Sequence, residues 1–301
     1  MYDILINVVR SHVRKPKLHF CRFMRKLMYY FMYVKKAYNL LWGLYAYFYF
    51  GVVMTIEQFF DENRKVAIAF SGGVDSAYLL YEAVKCKADV KAYYVRSQFQ
   101  PQFEYEDALR LADEIGADMS VIDVDVLSFD AIVGNPSNRC YYCKQQIFGN
   151  ILEHAKQDGY TVILDGTNAS DEEGDRPGIK ALREMEVKSP LRECGLTKDM
   201  IRALSKEAGL FTWDKPAYAC LATRIATGET ITKEKLQATE VSEMYLANLG
   251  FTDFRVRRVG DTAKLQFKRN QIEDAFAQKE KIKTELMKYY EEVIIDTGVI
   301  R

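Results

Sequence analysis

The chain has 301 residues, 49% of them hydrophobic, and its 42 basic and 42 acidic residues cancel, so it is long enough to bury the core of one large domain and a smaller one. Six cysteines in this length do not read as a secreted disulfide framework, and with His12 and His19 near the N-terminus only His154 remains in the body, which argues against a His-rich metal site or a Ser-His-Asp triad there. Residues 1–54 hold nine Lys or Arg and one acid, Asp3; the 33 basic and 41 acidic residues beyond Met54 make a mildly acidic body that offers no broad nucleic-acid surface.

The first 54 residues differ from the rest of the chain. Arg10 to Lys36 is basic with interleaved aromatics, and Ala37 to Met54 is almost wholly apolar. That run is about long enough to cross a bilayer, with Lys35 and Lys36 on the side that would stay cytoplasmic. It reads as a membrane anchor, a basic surface-binding helix, or upstream sequence ahead of a start at Met54. The composition shift at Met54, where Met54-Thr55-Ile56-Glu57 opens a soluble-looking helix, favours the last. A membrane partner is expected only if residues 37–54 are a real segment; otherwise a cytoplasmic protein is expected, assembled as a homo-oligomer.

From residue 65 strand and helix alternate. Strands are predicted at Lys65–Phe70, Val90–Arg96, Met119–Val126 and Thr161–Leu164, and helices at Asp75–Lys85, Phe103–Ile115, Tyr141–Lys156 and Ile179–Glu184. This pattern predicts an α/β fold, a parallel sheet with helices on both faces, whose ligands gather at the carboxyl ends of the strands. Helices at Thr197–Ala208 and Thr232–Leu249 come next, each with a Thr cap. Then come strands at Arg255–Arg258 and Ala263–Phe267, a charged helix over Gln271–Tyr290 and a last strand at Val293–Asp296. The expected division is 1–54, an N-terminal extension; 55–219, the α/β domain; and 220–301, a smaller α+β unit.

Ser71-Gly72-Gly73-Val74-Asp75-Ser76 sits between the first strand and the first helix. Gly72 and Gly73 let the backbone approach a ligand, and the free N–H groups of the turn and helix start would face phosphate oxygens. No Gly-Lys-Ser/Thr comes after it, so this is not a Walker loop. The plainer alternative is a Gly turn in which Asp75 and Ser76 cap a helix.

Arg139-Cys140-Tyr141-Tyr142-Cys143-Lys144 places two sulfurs on one face of a helix turn, where the helix start, Arg139 and Lys144 would favour thiolates. Cys220 stands in a third unusual stretch. Three thiolates can hold a four-iron cluster with one iron open; a redox dithiol at Cys140 and Cys143 with a core thiol at Cys220 is the other reading. Cys86 and Cys194 read as small buried hydrophobes. Asp165-Gly166-Thr167-Asn168 is a loop at the sheet's carboxyl end, and Arg176 further along could meet a phosphate or carboxylate. Arg255 and Arg257 share one face of a strand, as a phosphate clamp or a solvated basic face.

Ser71–Ser76 resembles the pyrophosphate loop of the ATP pyrophosphatases, which split ATP to AMP and pyrophosphate. The resemblance implies that this loop holds the departing pyrophosphate and that Asp75 lies close to the magnesium–phosphate group. Together with Asn138-Arg139-Cys140-Tyr141-Tyr142-Cys143-Lys144, Asp165-Gly166-Thr167-Asn168, Asp175-Arg176-Pro177-Gly178, Ser189-Pro190-Leu191, Arg255-Val256-Arg257 and the more particular stretch from Trp213 through Lys215, Pro216 and Cys220-Leu221-Ala222-Thr223-Arg224 to Ile225, the chain from about Ile56 onward is similar to the ATP-dependent sacrificial sulfur transferases called LarE, which act in making the nickel-pincer nucleotide cofactor. The departures are Glu172-Glu173 and the missing aromatic before Arg176, and residues 1–54 have no counterpart.

The resemblance implies ATP, Mg2+ and a pyridinium mononucleotide bearing two carboxylates, one of which is adenylated and then converted to a thiocarboxylate. It implies that nucleotide and substrate are met by Ser71, Gly72, Gly73, Asp75, Ser76, Gly166, Arg176, Arg224, Arg255 and Arg257. Sulfur would come from Cys220 itself, leaving dehydroalanine, or from a [4Fe-4S] cluster on Cys140, Cys143 and Cys220; the presence of all three favours the cluster. Rival expectations are an ammonia-using synthase of the NAD, GMP or asparagine type, a transfer-RNA thiolating enzyme, and a non-enzymatic nucleotide-binding module.

Overall fold

Strand β1, Lys65–Ala69, runs through the centre of a four-stranded parallel sheet with β2, Asp89–Arg96, β3, Asp118–Asp123, and the short β4, Ile163–Leu164, in the order β3-β2-β1-β4. The structure, a computed structural model, describes residues 54–171 and 177–298. The apolar run up to residue 53, Glu172-Glu173 and Arg176 lie outside the described residues. Among the described residues, no helix is long and apolar enough to cross a membrane.

Val66, Ala67 and Ile68 of β1 have no exposure at all, as a strand covered on both faces requires. Helices α1, Ile56–Glu62, α2, Val74–Lys85, and α3, Gln102–Ile115, precede and connect the first strands. After β3 come α4, Asp130–Val133, and the long α5, Arg139–Gln157. Phe148, Ile151 and Ala155 recur along one stripe of α5 and pack with Ala67, Tyr93, Val95 and Ile122 of the sheet. Burying Phe148 and Ile151 stabilises by roughly 1.5–3 kcal/mol each, and this packing fixes the start of α5, with its cysteines, near the sheet's carboxyl end. Beyond β4 the chain forms α6, Pro177–Glu184, α7, Pro190–Glu193, and α8, Lys198–Glu207. Thr197 caps α8, its hydroxyl accepting from the Met200 N–H at 3.4 Å.

α9, Lys233–Asn248, is capped in the same way by Thr232. It packs on a second, three-stranded sheet. In this sheet β5, Arg255–Val259, pairs antiparallel with β6, Thr262–Gln266, and β6 pairs parallel with β7, Glu292–Asp296. Residues 56–301 form one compact unit.

Two predicted elements need correction. The strand expected to reach Val126 ends at Asp123, because the Asp125 carboxylate accepts from the Leu127 N–H at 3.1 Å and turns the chain. The helix expected over Gln271–Tyr290 is two, α10, Ile272–Ala277, and α11, Lys279–Leu286, broken at Gln278. It stops short because Tyr290 is drawn into the core beside Thr239.

Candidate active site

Between β1 and α2 the chain makes a tight loop. Gly72 takes φ +71°, a conformation a side chain resists, and a Cβ there would stand 3.1 Å from Ala108 Cβ of α3. Gly73 is the N-cap of α2, and no side chain caps the helix. Its first-turn N–H groups remain available to an anion. Ser76 is buried; its hydroxyl donates to the Gly73 carbonyl at 3.2 Å and lies 3.0 Å from Ser71 Oγ, so it braces the loop from inside.

Asp75 Oδ2 meets Lys198 Nζ of α8 at 2.5 Å, while Oδ1 is buried without a hydrogen-bond partner. Burial pushes this carboxyl up from its ordinary value; the Lys198 charge opposes that, and Asp171 adds to it. The loop at Asp165 is braced by Ser189 Oγ, which donates to Asp165 Oδ1 at 2.6 Å. It passes very close: a Cβ on Gly166 would stand 2.9 Å from the Ser76 backbone N and 3.3 Å from Asp75 Cβ.

These loops open on a cavity of about 470 Å3. Of the residues expected from sequence, Ser71, Gly73, Asp75, Ser76, Gly166 and Cys220 line it. Gly72, Cys140, Cys143, Arg224, Arg255 and Arg257 are not on the wall.

Cys220 precedes a 3-10 turn, Leu221–Arg224, and its thiol is pushed up by burial, with Arg139 pulling it back. Cys140 is exposed in the first turn of α5, and Cys143 is half-buried one turn on. Burial pushes the Cys143 thiol up to about 12, and the charges of Cys220 and Cys140 add to this. Lys144 and Arg139 pull the other way, and burial is the larger effect. Arg139 is itself buried and donates to Asn135 Oδ1 and to the Ala222 carbonyl at 3.0 Å. Among the described residues no group of three His, Cys, Asp or Glu is placed to hold a metal ion. The three thiols are close enough to feel one another's charge but do not form a closed ligand set.

The three arginines hold the Cys220 segment instead of facing the cavity. Arg224 is buried against Glu243 of α9, with Nε to Oε1 at 2.6 Å. Arg255 donates to the Ala217 carbonyl at 2.9 Å and Arg257 to the Thr223 carbonyl at 3.2 Å.

Three charged cavity residues went unmarked in the sequence: Lys198 and Arg202, one turn apart on α8, and Glu104; Lys144 and Lys215, from stretches singled out there for other reasons, also line it. The signal was a cation pair at helical spacing just after a cap, which an ordinary solvated helix also shows. Lys215 pairs with Asp107 at 2.7 Å. Burial pushes the Glu104 carboxyl up to about 7, with Lys215 pulling it down and Asp107 pushing it up.

No family model matches the chain. A curated relative does: the pyridinium-3,5-bisthiocarboxylic acid mononucleotide synthase of Lactiplantibacillus plantarum is 32% identical over 79% of this chain and 87% of its own length. The chain belongs to the LarE family of ATP-dependent sulfur transferases. An uncharacterised protein of Synechocystis is 37% identical over 72% of the LarE-family chain and 82% of its own length. The tRNA-specific 2-thiouridylase MnmA of Thermotoga petrophila is 26% identical over 48% of the chain and 52% of its own length. These relatives accord with the LarE architecture seen here, a parallel sheet opening on a pyrophosphate loop.

Proposed function

We propose that the chain uses ATP to adenylate one carboxylate of a pyridinium dicarboxylate mononucleotide, releases pyrophosphate, and replaces AMP by sulfur to give a thiocarboxylate. The observation that carries this reading is that the Ser71–Ser76 loop and Cys220 line one cavity. A carboxylate oxygen is a poor leaving group and AMP a good one, so activation and sulfur attack belong in one enclosure.

The loop N–H groups and α2 receive the phosphates as they separate, and Lys198 and Arg202 offset their charge, which is electrostatic stabilisation of the leaving group. The unpartnered Oδ1 of Asp75 fits a magnesium ligand, and magnesium would neutralise phosphate charge there. Cys220 then contributes sulfur. Its S–H proton is lost, a C–S bond forms at the acyl carbon and the C–O bond to AMP breaks; a later β-elimination, in which the Cys220 Cα proton is lost and the Cβ–S bond breaks with its electron pair leaving on sulfur, gives the thiocarboxylate and dehydroalanine. Three thiols in electrostatic reach of one another are the donor chemistry a four-iron cluster uses, although their spacing as folded is not closed. Held by Cys140, Cys143 and Cys220, such a cluster would supply sulfide as the donor.

The test is anaerobic purification with iron and sulfide analysis, followed by incubation with ATP and the mononucleotide. AMP, pyrophosphate and a thiocarboxylate are expected. Iron-free protein that loses hydrogen sulfide from Cys220 decides for the single-cysteine route. Cleavage to ADP, or full activity in Cys220→Ala, overturns the proposal; the latter result belongs to an ammonia-using synthase.

A further inference from the structure

We infer that Glu243 is a positioning residue for sulfur transfer: from α9 it pins the chain on both sides of Cys220 and sets where that sulfur stands in the cavity. The inference rests on the proposed reaction. Glu243 is buried, and its carboxylate is filled. Oε1 accepts from Arg224 Nε at 2.6 Å and from the Val256 N–H of β5 at 3.0 Å; Oε2 accepts from the Tyr218 hydroxyl at 2.5 Å and from Arg224 Nη2 at 3.3 Å.

Tyr218 comes before Cys220 in the chain and Arg224 after it, so one carboxylate brackets the sulfur-bearing turn and ties it to the second sheet. The Arg224 guanidinium also lies 4.8 Å from the Tyr218 ring centre, closing the bracket on itself. Arg139, Arg255 and Arg257 each hold a single carbonyl of this segment, whereas Glu243 reaches both flanks. A buried ion pair stabilises little relative to apolar residues of the same volume, so stability alone is a weak reason for this arrangement. Fixing a geometry is a better one.

Glu243 is not on the cavity wall and touches none of the loop that receives the nucleotide. Its loss should therefore spare pyrophosphate release and impair sulfur transfer. A misplacement of about 1 Å at a reacting atom can cost ~100-fold.

The experiment measures two products from one incubation of the full chain with ATP and the pyridinium dicarboxylate mononucleotide: pyrophosphate, and thiocarboxylate by mass. Glu243→Gln keeps the shape, but its amide nitrogen cannot accept from Arg224 or Tyr218. The expected result is a thiocarboxylate-to-pyrophosphate ratio lowered by about tenfold or more. An unchanged ratio in folded Glu243→Gln, whether or not both products fall together, overturns the inference. If that variant fails to fold by thermal melting, Glu243→Asp, which keeps the charge but draws the carboxylate back by one methylene, decides in its place: a lowered ratio supports the role and an unchanged ratio overturns it. Wild-type protein that releases no pyrophosphate strikes down the proposed function, and this role with it.

Discussion

Gly166→Ala adds one methyl group where two loops meet. The new Cβ would stand 2.9 Å from the Ser76 backbone N, 3.3 Å from Ser76 Cα and 3.3 Å from Asp75 Cβ. Two of those atoms are backbone at the start of α2, so no flexible side chain can swing aside. The loops must separate by some tenths of an ångström. Overpacking of this kind costs about 1–3 kcal/mol, which for a unit of this size lowers the melting temperature by roughly 2–12 °C. The functional loss should be larger, because the displaced atoms are those that would receive the phosphates, and small misplacements there cost up to ~100-fold. Thermal melts and pyrophosphate release on the same preparation measure both. The control is Gly149→Ala inside α5, where a Cβ meets nothing within 4 Å; helix propensity there predicts a gain of up to ~1 kcal/mol. Gly166→Ala as stable and as active as the wild type would refute the close-approach argument.

Lys198→Ala removes the cation that pairs with Asp75 at the loop. A charge-assisted contact is worth about 1.5–3 kcal/mol, so pyrophosphate release should fall roughly 10–100-fold, and steady-state release that does not fall speaks against a role for Lys198. Glu104 holds its proton more firmly when folded, at about 7 against an ordinary 4.5, so its contribution to stability is full below the ordinary value and is lost as pH rises through 7. Glu104→Gln should therefore be more stable than wild type at pH 8, by up to about 3 kcal/mol, with the gap closing toward pH 5; equal gaps in urea midpoints at both pH values would contradict this.

The fold was legible because its signals are local. Val66 to Phe70 is a continuous apolar run ahead of a Gly-Gly turn, and the alternation after it admits few architectures. The Ser71–Ser76 loop was legible for the same reason: its conformation is written in adjacent residues. The roles of Arg224, Arg255 and Arg257 were not. A strand that places two arginines on one face says nothing about whether the carbonyls of Ala217 and Thr223 will lie within reach. That depends on how the turn after Cys220 lies against β5, a long-range packing fact with no sequence period. Glu243 was invisible for a related reason. On α9 it is one acid among several in a helix whose partners, Tyr218 and Val256, come from separate segments. The burial of Cys143 and Cys220 was not legible either: Arg139 and Lys144 are their neighbours in sequence or space, but how deeply each thiol sits depends on packing between distant segments.

The charge on the cavity wall limits what can bind there. Asp75, Glu104, Asp165 and Asp171 face Lys144, Lys198, Arg202 and Lys215, four acids against four bases. Two of the bases are already committed, Lys198 to Asp75 and Lys215 to Asp107. A wall whose acids nearly match its bases attracts a polyphosphate only weakly by itself, and an anion left buried and unpaired there would be costly. On the proposed function, binding is expected to exchange partners. If a divalent cation comes in with the nucleotide, Asp75 can turn from Lys198 to the metal, and Lys198 is freed for a phosphate oxygen. No charge is then left alone at either end. Oδ1 of Asp75, which is buried and has no protein hydrogen-bond partner, is the atom open to such a cation.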